Sequence, residues 1–215
     1  KCTNKTYIFS QSEYNLLFLE EIELSDITNI KHLISNKNLV SILITNYNKG
    51  SFIKKTIESC LSQNYKNKEI LLFDDCSVDN SLDIINKYKK NVRLVSNKNK
   101  QFKSAPLNQI NGIIRLFKKS RGSIIFLLDG DDQFKKNKLK YIFNLFEKRE
   151  NLNFIQDKPY LTKNKELMYL KKKNYTFSIW PSFYPTSCTS IKRKYFLKFL
   201  KFIHKNEFPN LEIDA

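Results

Sequence analysis

Glycine is scarce in this chain, with four in 215 residues. They form neither a GxGxxG nor a GxxxxGK[ST] run, which excludes the backbone phosphate cradles of dinucleotide-binding domains and P-loop enzymes. Cysteine is equally sparse. Cys2, Cys60, Cys76 and Cys188 lie far apart with no CxxC or Cys/His ligand spacing, which argues against a disulfide scaffold or a zinc module and suits a reducing compartment. Cys60 sits in an apolar helical pattern and reads as a small core residue. No apolar run approaches the roughly 20 residues of a membrane span, and no signal peptide is visible. Only five of the 38 basic residues are arginine. The net charge of +17 is therefore lysine charge, without the arginine forks and interleaved aromatics of nucleic-acid sites. Specific nucleic-acid binding is not expected. Contact with an anionic membrane face stays open, notably at the clusters Lys171-Lys172-Lys173 and Lys192-Arg193-Lys194, which read otherwise as solvated surface. The one tryptophan, Trp180, adjoins Pro181 and suits core packing as well as sugar stacking. His204 follows an apolar run and reads as a helix end.

What is present is regular alternation from Leu39 onward. Val40 to Thr45, Glu69 to Phe73, Val92 to Val95 and Ile124 to Leu128 read as strands. Between and after them come helices: one starting at Gly50-Ser51 with Ile53, Ile57, Cys60 and Leu61 on one face, then Ser81 to Tyr88 and Pro106 to Phe117. A fourth carries Leu139, Ile142, Phe143 and Phe146. Strands alternating with helices imply βαβ crossovers and a doubly wound, mainly parallel α/β sheet flanked by helices. Residues 1–38 read as an N-terminal extension, 39–150 as a nucleotide-type half and 151–215 as a second half. In that second half Leu152 to Ile155 reads as a strand, Lys163 to Lys173 as a charged loop and helix, Pro185 to Ile191 as a strand and Tyr195 to Ile203 as a helix. The chain stops at Ala215 inside a patterned segment, so a C-terminal continuation is expected.

The chemistry concentrates at strand ends. Asp129, Asp131 and Asp132 close the apolar run Ile124 to Leu128. Carboxylates at the end of a doubly buried strand suit a hard cation, Mn²⁺ or Mg²⁺, although a solvated acidic turn has the same composition. Two other strands end at the same edge, in Thr45-Asn46-Tyr47-Asn48 and in Asp74-Asp75-Cys76-Ser77. Open α/β sheets gather ligands there, and an acid after the second strand can accept hydrogen bonds from a ribose or a base. Phosphates at such a site would be held through a metal.

These segments resemble family 2 glycosyltransferases of the GT-A fold. The likeness rests on Val40 to Asn48, Ile57 to Tyr65, Glu69 to Ser81, Asn108 with Gly112, and Gly122 to Asp132, whose end is a DxDD form of the DxD motif. It covers residues 39–150. Two departures are Thr45, where many members have proline, and the lack of a glycine around Lys100 to Ser104. The resemblance implies a single GT-A domain and an inverting, metal-dependent transfer of a sugar from a nucleoside diphosphate sugar to a glycan or lipid-linked acceptor, in cell-surface glycan synthesis. It implies that Thr45 and Tyr47 flank the base and that Asp75 contacts it. Asp131 becomes the metal ligand, with Asp129 nearer the ribose and in the metal's reach, and Asn108 lines the nucleotide side. Asp74 reads as the cap of the following turn, and Asp132 as a helix cap or as a residue that orients its neighbour. The family's base lies late in the domain, often in a Glu-Asp pair. Here Glu212-Ile213-Asp214 offers Asp214 first and Glu212 second. The setting expected is cytoplasmic, with peripheral contact at the inner membrane face. Competing readings are a basic nucleic-acid- or membrane-binding module on the same scaffold, and a nucleotidyltransferase, which would ordinarily show a glycine-rich basic loop after the first strand.

Overall fold

Strand β2 (Val40–Asn46) is buried along its whole length, as an apolar strand at the centre of a sheet must be. The computed structural model describes residues 6–8, 37–99, 105–163, 166–169 and 185–203. Parallel to β2 run β3 (Lys68–Asp74) on one side and β5 (Ile124–Asp129) on the other, with β4 (Val92–Ser96) beyond β3. The returning helices are α1 (Ile53–Leu61), α2 (Ser81–Asn86) and α3 (Ala105–Lys119), while α4 (Lys138–Lys148) follows β5.

Alternation along the strands sorts their side chains into two apolar layers. Val40, Ile42, Ile44, Phe126 and Leu128 pack with Ile53, Ile57 and Cys60 of α1 and with Leu139, Ile142 and Phe146 of α4. Leu43, Leu71, Phe73, Ile125 and Leu127 face Ile113, Leu116 and Phe117 of α3. A helix of nine residues such as α1 is not stable alone. Full burial of Ile53 and Ile57 contributes about 1.5–3 kcal/mol each, so packing decides its conformation. Burial pushes the Cys60 thiol up to about 12, and this cysteine is the core residue expected. Gly112 explains how α3 lies so close to the sheet: a Cβ there would stand 2.3 Å from the Phe73 ring.

The second half completes the domain as an antiparallel wing. β9 (Thr189–Lys192) lies antiparallel beside β5, β6 (Phe154–Asp157) antiparallel beside β9, and β1 (Thr6–Ile8) antiparallel beside β6. The sheet has seven strands in the order β1-β6-β9-β5-β2-β3-β4. The parallel part is the α/β core expected. The antiparallel wing is what the sequence pattern did not reveal.

Four local expectations change. Instead of a charged loop and helix after Lys163, β7 (Tyr160–Lys163) and β8 (Glu166–Tyr169) form an antiparallel hairpin that sets Lys163 across from Glu166. α2 ends at Asn86, because the chain tightens into i→i+3 bonds (Lys87 N to Ile84 O, 3.1 Å) and Val92 N then bonds Tyr88 O at 2.9 Å to enter β4. Pro185 opens a 3₁₀ turn, Thr186–Cys188, before β9 starts. Finally, the Lys192-Arg193-Lys194 cluster is not solvated throughout: Lys194 is exposed, but the middle residue is not. Arg193, first residue of α5 (Arg193–Ile203), is buried under the Phe117 ring, 4.5 Å from its centroid. Its Nε donates to Gly122 O at 2.6 Å and an Nη to Ser120 Oγ at 2.5 Å. Burial pulls its guanidinium down to about 10. Beside it Ser41 Oγ donates to Glu69 Oε1 at 2.6 Å, which closes a polar floor at the amino ends of the strands.

Candidate active site

At the opposite edge the three strand ends converge. The register sets Thr45 beside Asp129 across β2 and β5, and Asn46 beside Asp74 across β2 and β3. Each following loop is locked from within. Asp74 accepts from Asn46 Nδ2 (2.7 Å), Ser77 Oγ (2.6 Å) and Ser77 N (3.0 Å), which makes it the turn cap expected. Asn48 takes the left-handed conformation, φ 51°, which asparagine tolerates better than most residues. Its Oδ1 accepts from Val78 N at 2.9 Å and its N–H donates to Ser77 Oγ at 2.9 Å. Cys76 is also left-handed, at φ 59°, inside the same clasp.

Asp74 is fully engaged by these donors, and its neighbour Asp75 is not. Asp75 is 7% exposed, and its Oδ1 is enclosed without a hydrogen-bond partner among the described residues. Asn97, the residue after the end of β4, has an enclosed and unpartnered Nδ2 as well. An orphaned acceptor and an orphaned donor each cost free energy until something satisfies them.

Asp129 is held by neutral donors: Thr45 Oγ1 at 3.1 Å and Gln109 Nε2, from α3, at 2.7 Å, both to Oδ1. Burial pushes its carboxyl up to about 6; Asp132 and Asp131 add to the rise, while the Thr45 and Gln109 hydrogen bonds hold it back. Its backbone N–H donates to Ser187 Oγ at 3.0 Å, across from the 3₁₀ turn. The tight turn after it needs Gly130, because a Cβ there would come within 2.7 Å of Asn46 Oδ1. Asp131 is at the rim, where its Oδ2 pairs with Lys49 Nζ from the loop after β2. Asp132 lies well before α4, whose N-cap is Asn137, so it is no helix cap; its N–H closes the turn on Asp129 O at 3.1 Å.

Of the residues expected, Thr45, Tyr47, Asp75, Asp129 and Asp131 share this edge. Tyr47 is exposed on the loop beside Asp75. Asn108 is buried in the first turns of α3. Asp214 and Glu212 lie outside the described residues, as do Trp180, His204 and Lys171 to Lys173. Sequence reasoning missed Gln109, Ser187, Lys49 and the acid Asp157. β6 runs parallel to β5 with β9 between them, so Asp157 at its end comes to the same edge. Lys138 Nζ stands 2.7 Å from Asp157 Oδ1 as an ion pair and donates to Ser187 O at 2.8 Å. Burial pushes the thiol of Cys188, in the same cluster, up to about 12; Lys138 pulls it down, while Asp157, Asp132 and Asp129 add to the rise.

The sequence profile of glycosyl transferase family 2 matches residues 41–205. The chain belongs to that family. Among relatives, this family 2 chain is 38% identical over 126 residues to the Escherichia coli UDP-Glc:alpha-D-GlcNAc-diphosphoundecaprenol beta-1,3-glucosyltransferase WfaP, covering 59% of this chain and 48% of that protein. It is 32% identical over 136 residues to the minor teichoic acid biosynthesis protein GgaA of Bacillus subtilis (strain 168), covering 60% of this chain and 29% of that one. The family 2 chain thus spans less than half the length of either relative. The crystal structure of S. aureus TarS 1-349 in complex with UDP-GlcNAc superposes with a TM-score of 0.50 at 17% identity, over 72% of this chain and 45% of that one. That likeness is one of fold, the α/β GT-A architecture. No helix among the described residues is long and apolar enough to cross a membrane.

Proposed function

We propose that the chain is an inverting, metal-dependent glycosyltransferase that moves a sugar from a nucleoside diphosphate sugar to an acceptor hydroxyl in cell-surface glycan synthesis. The observation that carries this reading is the buried, unpartnered Asp75 Oδ1 just past the end of β3, at the edge where Asp129 and Asp131 also stand, with a second unpartnered atom, Asn97 Nδ2, just past the end of β4. A nucleobase edge offers the donor and acceptor those two atoms lack. WfaP is named for a diphosphoundecaprenol-linked acceptor, and an acceptor of that lipid-linked kind is our choice here too. The place of action proposed is the cytoplasm, with peripheral contact at the inner membrane face.

In this reading Thr45 and Tyr47 flank the base, Asp75 accepts from it, Asn108 lines the nucleotide side, and Asp129 takes the ribose. Asp131 holds Mn²⁺ or Mg²⁺, with Asp129 in reach. The residues fit such an ion. The donors are all oxygen, Asp131 already faces a cation, and mutual repulsion among Asp129, Asp131 and Asp132 is part of what raises Asp129. Among the described residues no group of three or more acidic, histidine or cysteine side chains is placed to hold an ion, so one or two carboxylates would be the protein's share of its ligands. When bound, the ion offsets charge on the departing diphosphate. The chain's own work is to fix the donor so that the acceptor oxygen meets the anomeric carbon in line, opposite the leaving group. Asp214, with Glu212 as second choice, takes the acceptor's proton as the new bond forms.

The test is calorimetry with UDP, GDP, CDP and dTDP, with and without Mn²⁺. One of the four should bind in a Mn²⁺-dependent manner. Asp131→Asn should remove the metal-dependent part, and Asp75→Asn should weaken binding about 10- to 100-fold, the worth of a hydrogen bond to a charged group. Unchanged affinity in both variants would sink the assignment.

A further inference from the structure

The two carboxylates that flank Gly130 are partnered in opposite ways. Asp129 is fixed by two neutral donors from packed elements, Thr45 on β2 and Gln109 on α3. Asp131 instead pairs with Lys49, a charged group on a flexible stem, and the two side chains are 39% and 37% exposed. Among the described residues this is the ion pair that the Asp129-to-Asp132 cluster makes. A pair so exposed shifts an equilibrium by no more than about fivefold, and hence exchanges readily.

The backbone of Lys49, by contrast, is held firmly. Its N–H donates to Ser81 Oγ at 3.1 Å, and the next N–H, of Gly50, donates to Asp79 Oδ2 at 2.8 Å. Its carbonyl accepts from Phe52 N and Ile53 N at 2.8 Å each, at the start of α1. Asn48, just before it, is clasped to Ser77 and Val78. The ammonium therefore swings from a fixed root. That root is in the loop between the Asp75 end of the site and the Asp131 end, the interval a diphosphate must cross if a base sits at one and a cation at the other.

We propose that Lys49 is the donor site's exchangeable cation, neutralising Asp131 while no donor is bound and turning to the donor's diphosphate when a divalent ion takes Asp131. This rests on the donor-site reading above. It assigns Lys49 two linked effects of opposite sign: it competes with the divalent ion for Asp131, and it strengthens binding of the diphosphate. A lysine that merely tied the two loops together would have neither the competition nor the reversal of sign.

Lys49→Met keeps the stem and deletes the charge at a half-exposed position, so the fold should survive. Mn²⁺ is titrated into the 215-residue chain without nucleotide, followed by calorimetry with UDP, GDP, CDP and dTDP at saturating Mn²⁺. The Met variant should bind Mn²⁺ alone about 3- to 10-fold tighter, since both the pair and the local repulsion are gone. At saturating Mn²⁺ it should bind the recognised nucleoside diphosphate about 10-fold more weakly, having lost a charge-assisted contact. Lys49→Arg, which keeps the charge, should restore both values toward wild type. If Lys49→Met leaves Mn²⁺ affinity unchanged or lowers it, or leaves nucleotide affinity intact, Lys49 is a fixed tie and the inference fails alone. If the wild-type chain binds none of the four with Mn²⁺, the donor-site reading falls and takes this one with it.

Discussion

Asp129→Asn should make the ligand-free protein more stable and less able to bind its ligand. The Asp129 carboxyl is raised from 3.8 to about 6, chiefly by burial. Between those two pH values the folded chain binds more protons at this position than the unfolded chain does. Stability is therefore lost as pH rises through the window, and the whole penalty is present above about pH 6. A rise from 3.8 to about 6, at roughly 1.36 kcal/mol per tenfold change in proton affinity, is worth at most about 3 kcal/mol. Asparagine keeps the Oδ1 acceptor that Thr45 and Gln109 both use, removes the buried charge, and ends the repulsion from Asp131 and Asp132. In a chain of this size about 3 kcal/mol corresponds to about 5–10 °C in Tm. The assay is denaturant unfolding of wild type and variant at pH 8 and at pH 4, free of divalent ions and nucleotide. At pH 8 the variant should be more stable by about 2–3 kcal/mol, and toward pH 4 the difference should close. Mn²⁺-dependent nucleotide binding should weaken in the same protein, the usual exchange of activity for stability at a charged site. Equal or lower stability of the variant at pH 8 would refute the reasoning, because the charge would then be well solvated.

Two further outcomes follow from the packing and from the late acids. Gly112→Ala puts a methyl 2.3 Å from the Phe73 ring, so it should cost about 1–3 kcal/mol in the denaturant midpoint; no loss would mean that α3 does not lie that close to β3. Asp214→Asn should lower transfer to the acceptor about 10²- to 10⁴-fold with donor affinity unchanged, while Glu212→Gln should cost much less; the reverse order would make Glu212 the base.

The parallel core was legible because its strands announce themselves. Val40 to Ile44 and Ile124 to Leu128 are mostly apolar runs too short for helices, and each is followed by the polar residues of the candidate site. Thr45, Asp75, Asp129 and Asp131 were legible as neighbours for the same reason: each lies within two residues of a strand's carboxyl end, which fixes it at the sheet edge. Gln109 was not, because its reach to Asp129 depends on how α3 lies across the sheet, and nothing local in Asn108-Gln109-Ile110 encodes that. Ser187 and Asp157 were hidden by topology. They meet the site through an antiparallel wing whose pairing is set by contacts distant in sequence. Arg193 misled because a Lys-Arg-Lys run looks solvated until a carbonyl, a hydroxyl and an aromatic face are found to enclose its middle member.

The place of β9 in the sheet constrains how the molecule assembles. It is the last described strand in chain order, yet it sits between β5 and β6. β6 and β1 are made earlier and gain their link to the parallel core only when β9 slots in. During synthesis the open edge of β5 must wait for residues 189–192 while α4, β6 and the β7–β8 hairpin are already outside the ribosome. An unpaired edge on an apolar strand invites pairing with the wrong chain. The wing should thus be the slow, high-contact-order step of folding, and the step at which a chaperone has something to hold.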